Sequence, residues 1–163
     1  MITTSKLLGC LAILLASQAC QDKKNNTIKD SITEEISFTK EGELQLLRDN
    51  DTLKQLSIEI ADNPYERETG LMYRKTMEQN QGMLFISEES KPQNFYMKNT
   101  LIPLDIIYID ENQKIVSFQR NAQPNDETSL PSRLPAKYIL EVNAGLSKEW
   151  NLKEGDSISF KKL

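Results

Sequence analysis

Apolar residues recur at every second position in a series of short segments, and this period constrains the fold more than any other feature. Leu44 and Leu46 alternate with Glu43 and Gln45, and Leu56, Ile58 and Ile60 alternate with Gln55, Ser57 and Glu59. Such alternation places one face of a β-strand against a core and the other against a polar environment. Asp49-Asn50-Asp51 supplies turn chemistry between the two runs, so together they predict a hairpin. Further strands are predicted at Gly82 to Ile86, Gln93 to Lys98, Leu104 to Asp110, Lys114 to Arg120, Lys137 to Val142 and Ser157 to Lys161, with the tightest turn at Asp110 to Gln113.

Helical signals are few. Asn63 is placed as a cap, Pro64 at the first helical position and Glu66 to reach back, which predicts a helix running to about Arg74. Gly70 within it implies close packing or an early end. Ala144 to Trp150 is a second short candidate, and Asn121 to Ala136, with three prolines, is predicted as a long loop. Many short strands and little helix predict a mainly β domain over residues 43–163: a small β-sandwich or partly closed β-barrel with one or two short helices.

The amino-terminal segment has a different character. Lys6 precedes an apolar run from Leu7 to Ala16, and Ser17-Gln18-Ala19-Cys20 follows, which is the layout of a secretory signal. The run is much shorter than the roughly 20 residues that cross a hydrocarbon core. The segment resembles a bacterial lipoprotein signal over residues 1–19, in which Cys20 would be acylated, giving stable attachment to a membrane. Residues 20–42 are mostly Asp, Lys, Asn, Thr, Ser and Glu and read as a flexible tether. A chain of about 20 such residues has a root-mean-square reach of roughly 25 Å, so the expected address is the periplasmic or cell-surface face of the bacterial envelope.

Composition narrows the chemistry. The formal net charge is −4, which disfavours nucleic acid as a partner. The chain has no histidine, removing the commonest general base and the usual zinc ligand. Cys10 would leave with the signal and Cys20 would carry lipid, so neither a disulfide nor a thiol nucleophile is expected. No metal site or cofactor is predicted.

The segment Phe95 to Asp110 sets polar residues between two β-like runs. Together with Glu68-Thr69-Gly70-Leu71-Met72-Tyr73-Arg74, Gly82-Met83-Leu84-Phe85 and Tyr138-Ile139-Leu140-Glu141 with Gly145, it resembles the DUF192 family, also called UPF0127. Tyr96 stands where the family more often has tryptophan. The resemblance implies a small, mainly β and often secreted domain whose activity is not established.

Within that frame Asp105 and Glu141 are the conspicuous groups, Asp105 sharing a strand face with Ile107 and Ile109 and Glu141 with Ile139. A carboxylate taken out of water needs a cation or several donors, and Arg74, Lys98 or the amides around Asn99 and Thr100 are the candidates. Either Asp105 braces the loop from Lys98 to Pro103, or these residues contact a ligand. The ligand set is then Arg74, Tyr96, Lys98, Asn99, Thr100, Asp105 and Glu141, and the expected function is binding of a small polar or cell-wall-derived ligand. Three alternatives follow. Asp105 and Glu141 facing one cavity would suit glycan hydrolysis, which needs two carboxylates roughly 5 to 10 Å apart. Met72, Met77, Met83 and Met97 could hold Cu(I) or simply fill a core. A partner-binding module of an envelope assembly would show a large exposed apolar patch.

Overall fold

The computed structural model describes residues 36–163. The predicted lipoprotein signal, Cys20 and most of the predicted tether lie outside them. The described part is mainly β, a curled seven-stranded sheet forming a half-barrel with two short helices. The elements are β1 (Gly42–Arg48), β2 (Asp51–Ala61), α1 (Pro64–Thr69), β3 (Gln81–Phe95), β4 (Leu104–Ile109), β5 (Ile115–Ala122), β6 (Leu130–Asn143), α2 (Leu146–Glu149) and β7 (Ser157–Lys162). Their order across the sheet is β5-β4-β6-β3-β2-β1-β7. A bridge between Lys114 and Ser157 brings the start of β5 against the start of β7, so the curl meets itself at one corner.

Local chemistry accounts for the connections. Asp49 and Asn50 both have positive φ, 48° and 73°, and join Arg48 to Asp51 in a two-residue turn. Asn and Asp tolerate that conformation, and its twist matches the flanking strands. The Asn63 side chain accepts the Glu66 amide at 3.0 Å, while the Glu66 carboxylate accepts the Asp62 amide at 3.2 Å. The helix then stops at Thr69 rather than continuing to Arg74. Gly70 has φ 44° and ψ −127°, and its N–H donates to the Glu66 carbonyl. A Cβ at Gly70 would lie 2.8 Å from Cζ of Phe85, so both implications of the glycine hold: α1 ends early and packs closely there.

Two predicted strands are one. The run from Gln81 to Phe95 passes through Lys91 and Pro92 without interruption, and it ends before Lys98. The predicted loop from Asn121 to Ala136 shrinks to residues 123–129, because β6 begins at Leu130 and takes in Pro131 and Pro135. Proline removes a ladder donor, and here Pro92 lies opposite Pro135 amid register shifts. Ser132, fully buried, mends the gap: its Oγ accepts the Gln93 amide at 2.9 Å and donates to the Leu134 carbonyl, while its own carbonyl accepts the Ser117 hydroxyl.

The sheet is covered on both sides. Inside the curl all seven strands contribute to one apolar cluster that includes Leu44, Ile58, Leu84, Ile107, Val142 and Ile158. A second cluster, with Leu71, Met83, Phe85, Met97, Ile106 and Tyr108, lies on the other face of the central strands under the α1 connection. All six residues of β4 are buried as a result.

Candidate functional site

Strand register separates the two carboxylates singled out in the sequence. Asp105 lies opposite Val142, and Glu141 lies opposite Ile106. Opposed residues share a face and neighbours alternate, so Asp105 points into the cluster inside the curl and Glu141 points to the other face. They share no cavity, which removes the hydrolytic pairing. Asp105 is fully buried and accepts three backbone amides, from Asn121 at 2.9 Å and from Gly145 and Ser147 at 3.0 Å each. It braces β5 and the start of α2. The loop from Lys98 to Pro103 is held otherwise, by Tyr73 N–H on the Asn99 carbonyl and Asn125 N–H on the Thr100 carbonyl.

Glu141 belongs to a row that crosses the sheet. Glu59 on β2, Met83 on β3, Glu141 on β6 and Ile106 on β4 are successive partners. At about 4.8 Å per strand, the Glu59 and Glu141 Cα atoms stand roughly 10 Å apart. Their environments differ. Arg74 Nη2 lies 2.6 Å from both Glu59 oxygens, and both side chains are nearly buried. The Glu141 side chain makes no hydrogen bond among the described residues and the residue is only 5% exposed, yet its carboxyl oxygens are open to the cleft. The fully enclosed side-chain atoms without a partner among the described residues are Arg74 Nε and Trp150 Nε1. Burial pushes the Glu141 carboxyl up to about 8. Burial, and secondarily the charge of Glu141, also raises the phenol of Tyr108, whose hydroxyl donates to the Leu130 carbonyl.

Glu141 forms part of the wall of a cleft of about 130 Å³ between α1 with its following turn and the end of β3. Phe85, Phe95 and Tyr96 supply aromatic surface, Leu71 and Met72 aliphatic surface, and Arg67, Glu68, Asn94 and Thr100 polar edges. Phe85 and Phe95 meet edge-on with centroids 5.1 Å apart, fixing the aromatic wall. The cleft adjoins a larger groove of about 410 Å³ along β3, with which it shares Arg67, Phe85, Asn94 and Phe95, and which Glu88, Glu89 and Lys91 also line.

Comparison with known proteins decides the family. The sequence profile of DUF192, described as an uncharacterized ACR, matches residues 45–160. The chain belongs to that family. The DUF192 domain is 28% identical over 105 residues to the UPF0127 protein TK1120 of Thermococcus kodakarensis, a match covering 63% of this chain and 64% of that protein. A UPF0127 protein of Thermococcus gammatolerans is also 28% identical, over 63% of this chain and 65% of the relative. The chain thus spans somewhat less than two thirds of these curated relatives. Among solved structures, a Sinorhizobium meliloti protein provisionally described as a transcription regulator is 37% identical, with a TM-score of 0.72, over 77% of this chain and 97% of that one. A Novosphingobium aromaticivorans protein of unknown function is 32% identical, with a TM-score of 0.69, over 72% and 83%.

The DUF192 fold distributes the predicted site residues unevenly. Tyr96, Thr100 and Glu141 come together in the cleft. Arg74 is committed to Glu59 and neutralises neither Asp105 nor Glu141. Lys98 is exposed in a turn rather than in a strand, and Asn99, at φ 56°, directs its amide to the Met72 sulfur at 3.9 Å. Met83 and Met97 are buried in the core and Met77 packs against it, the gap-filling role open to them in the sequence. Sequence reasoning missed Phe85, Phe95 and Asn94 as lining residues and Glu59 as a buried group. Alternation placed Glu59 opposite the apolar face of β2; the signal was present, but that second face is also covered.

Proposed function

We propose that this protein is a lipid-anchored envelope protein whose DUF192 domain binds a small polar ligand, or an exposed part of a cell-wall glycan or peptide, in the cleft beside α1. Glu141 carries the reading. A buried carboxyl without a partner is costly to a fold, and one that lines an aromatic cleft is a group available to something that enters. The adjoining groove along β3 gives room for a ligand larger than the cleft. The signal-like segment ending at Cys20, followed by a polar stretch, supports attachment to the envelope.

Two measurements test the two halves. Replacing Cys20 with Ser should move the protein from the membrane to the soluble fraction; a variant that stays membrane-bound sinks the anchoring. Retention of the purified domain on isolated cell wall should fall at least about tenfold, about 1.4 kcal/mol, in Tyr96→Ala and Glu141→Gln. Equal retention by the folded variants and the wild type would sink the cleft as the binding site.

A further inference from the structure

Resting on the cleft as a binding site, we infer that its occupant presents an organic cation, a primary ammonium or similar group, which pairs with the Glu141 carboxylate against the aromatic wall and displaces the carboxyl proton to solvent. Three observations point to this chemistry. The first is the Glu141 carboxyl itself, nine-tenths buried and without a partner among the described residues.

The second is the balance of hydrogen-bonding groups. Thr69 already donates its hydroxyl hydrogen to the Tyr65 carbonyl at 2.9 Å, and Thr100 donates over 3.4 Å to the Lys98 carbonyl. The hydroxyls therefore offer lone pairs rather than hydrogens, and Glu68 adds a second carboxylate at the edge. An ammonium brings three donors and needs no acceptor. The third is the aromatic surface of Phe85, Phe95 and Tyr96, whose ring faces attract a cation, and more so once water is excluded.

The cationic side chains near the cleft are already engaged. Arg67 on α1 pairs with Glu88 at 3.0 Å, and Arg74, from the turn, with Glu59 on β2. Tyr108 on β4 spends its hydroxyl on Leu130, and β3 lines the cleft with Phe85, Asn94 and Phe95, none of which titrates. No histidine exists in the chain to titrate near neutrality.

The proton balance is simple. The neutral acid and the cation give a carboxylate–ammonium pair plus one proton released to buffer. With the free acid titrating near 8, binding should strengthen about tenfold per pH unit below that value and level off above it. A hydroxyl ligand would behave in the opposite way, because the neutral acid can donate to it.

The experiment uses propylammonium chloride and the neutral probe 1-propanol, with calorimetry in buffers of differing ionisation enthalpy and amide chemical shifts to locate binding. The expected result is propylammonium binding near Phe85 and Phe95, about one proton released per ligand, an affinity rising about tenfold between pH 6 and pH 7, and loss of that rise in Glu141→Gln. The wild-type pH series needs no variant to fold. Equal binding of both probes without pH dependence would overturn the cation while leaving the cleft as a site for neutral ligands. No cleft shifts with propylammonium at tens of millimolar overturns the cation even if cell-wall retention still depends on Tyr96.

Discussion

Asp105 and Glu141 are both carboxyls buried in strands, yet their partners give them opposite consequences. Asp105 meets three backbone N–H groups, so its charge is met by fixed donors. Glu141 meets none and sits in a cleft. Asp105→Asn should therefore destabilise the domain strongly, because the new amide N–H₂ would oppose an N–H of Asn121 or of the α2 start. Leaving one or two buried amides unmet costs about 1 to 3 kcal/mol each, so a loss of about 3 kcal/mol in urea unfolding is expected. A loss below about 1 kcal/mol would mean the three bonds contribute little. Arg74 completes the comparison: its Nη2 lies 2.6 Å from both Glu59 oxygens, so the Glu59 charge is met within the fold, while its own Nε is buried without a partner among the described residues.

Among the elements, α1 and its exit shape the cleft. Gly70 combines φ 44° with a Cβ direction blocked by the Phe85 ring, so Gly70→Ala meets both backbone strain and a 2.8 Å contact. Strain at such a position costs about 1 to 3 kcal/mol, and a denaturation midpoint lowered accordingly is expected, with Phe85 resonances displaced. An unchanged midpoint and unmoved Phe85 would show that the turn relaxes freely. The same element shows what the sequence could and could not convey. Asn63, Pro64 and Glu66 marked the start of α1, and Asp49-Asn50 marked the first turn, because caps and turns depend on residues a few positions apart. The strand from Gln81 to Phe95 and the proline-bearing start of β6 were hidden, because Ser132, distant in sequence from Gln93, repairs the ladder there. Glu141 could be assigned to the strand face of Ile139 from their two-residue spacing, but its separation from Asp105 required the register between β4 and β6. The aromatic wall of the cleft depends on β3 meeting the α1 turn, a contact that no local pattern encodes.

At the scale of the whole molecule, pH acts on the half-barrel from two sides. Arg48 grips Asp156 with two bonds of 2.8 Å, tying the end of β1 to the approach to β7, and holds that carboxyl below the usual aspartate range. A depressed pKa contributes stability above the ordinary aspartate value, and this is lost as pH falls through the folded one. Glu141 has the opposite sign. Its folded pKa near 8 exceeds the ordinary 4.5, so the folded state holds a proton that the unfolded chain has released across that window. Stability is undiminished by this group below about 4.5 and declines as pH rises toward 8, where the decline ends. Glu141→Gln keeps the shape of the neutral acid and cannot ionise. Wild type and variant should therefore match within about 1 kcal/mol near pH 5, and the variant should become the more stable by several kcal/mol near pH 8, on the scale of about 1.4 kcal/mol per unit of pKa. Chemical denaturation of both proteins across this range measures the difference directly, and the Arg48–Asp156 contribution, common to both, cancels. A difference that stays flat would mean that Glu141 ionises in the fold as readily as in water, and the cleft would then hold its carboxylate without needing a cation.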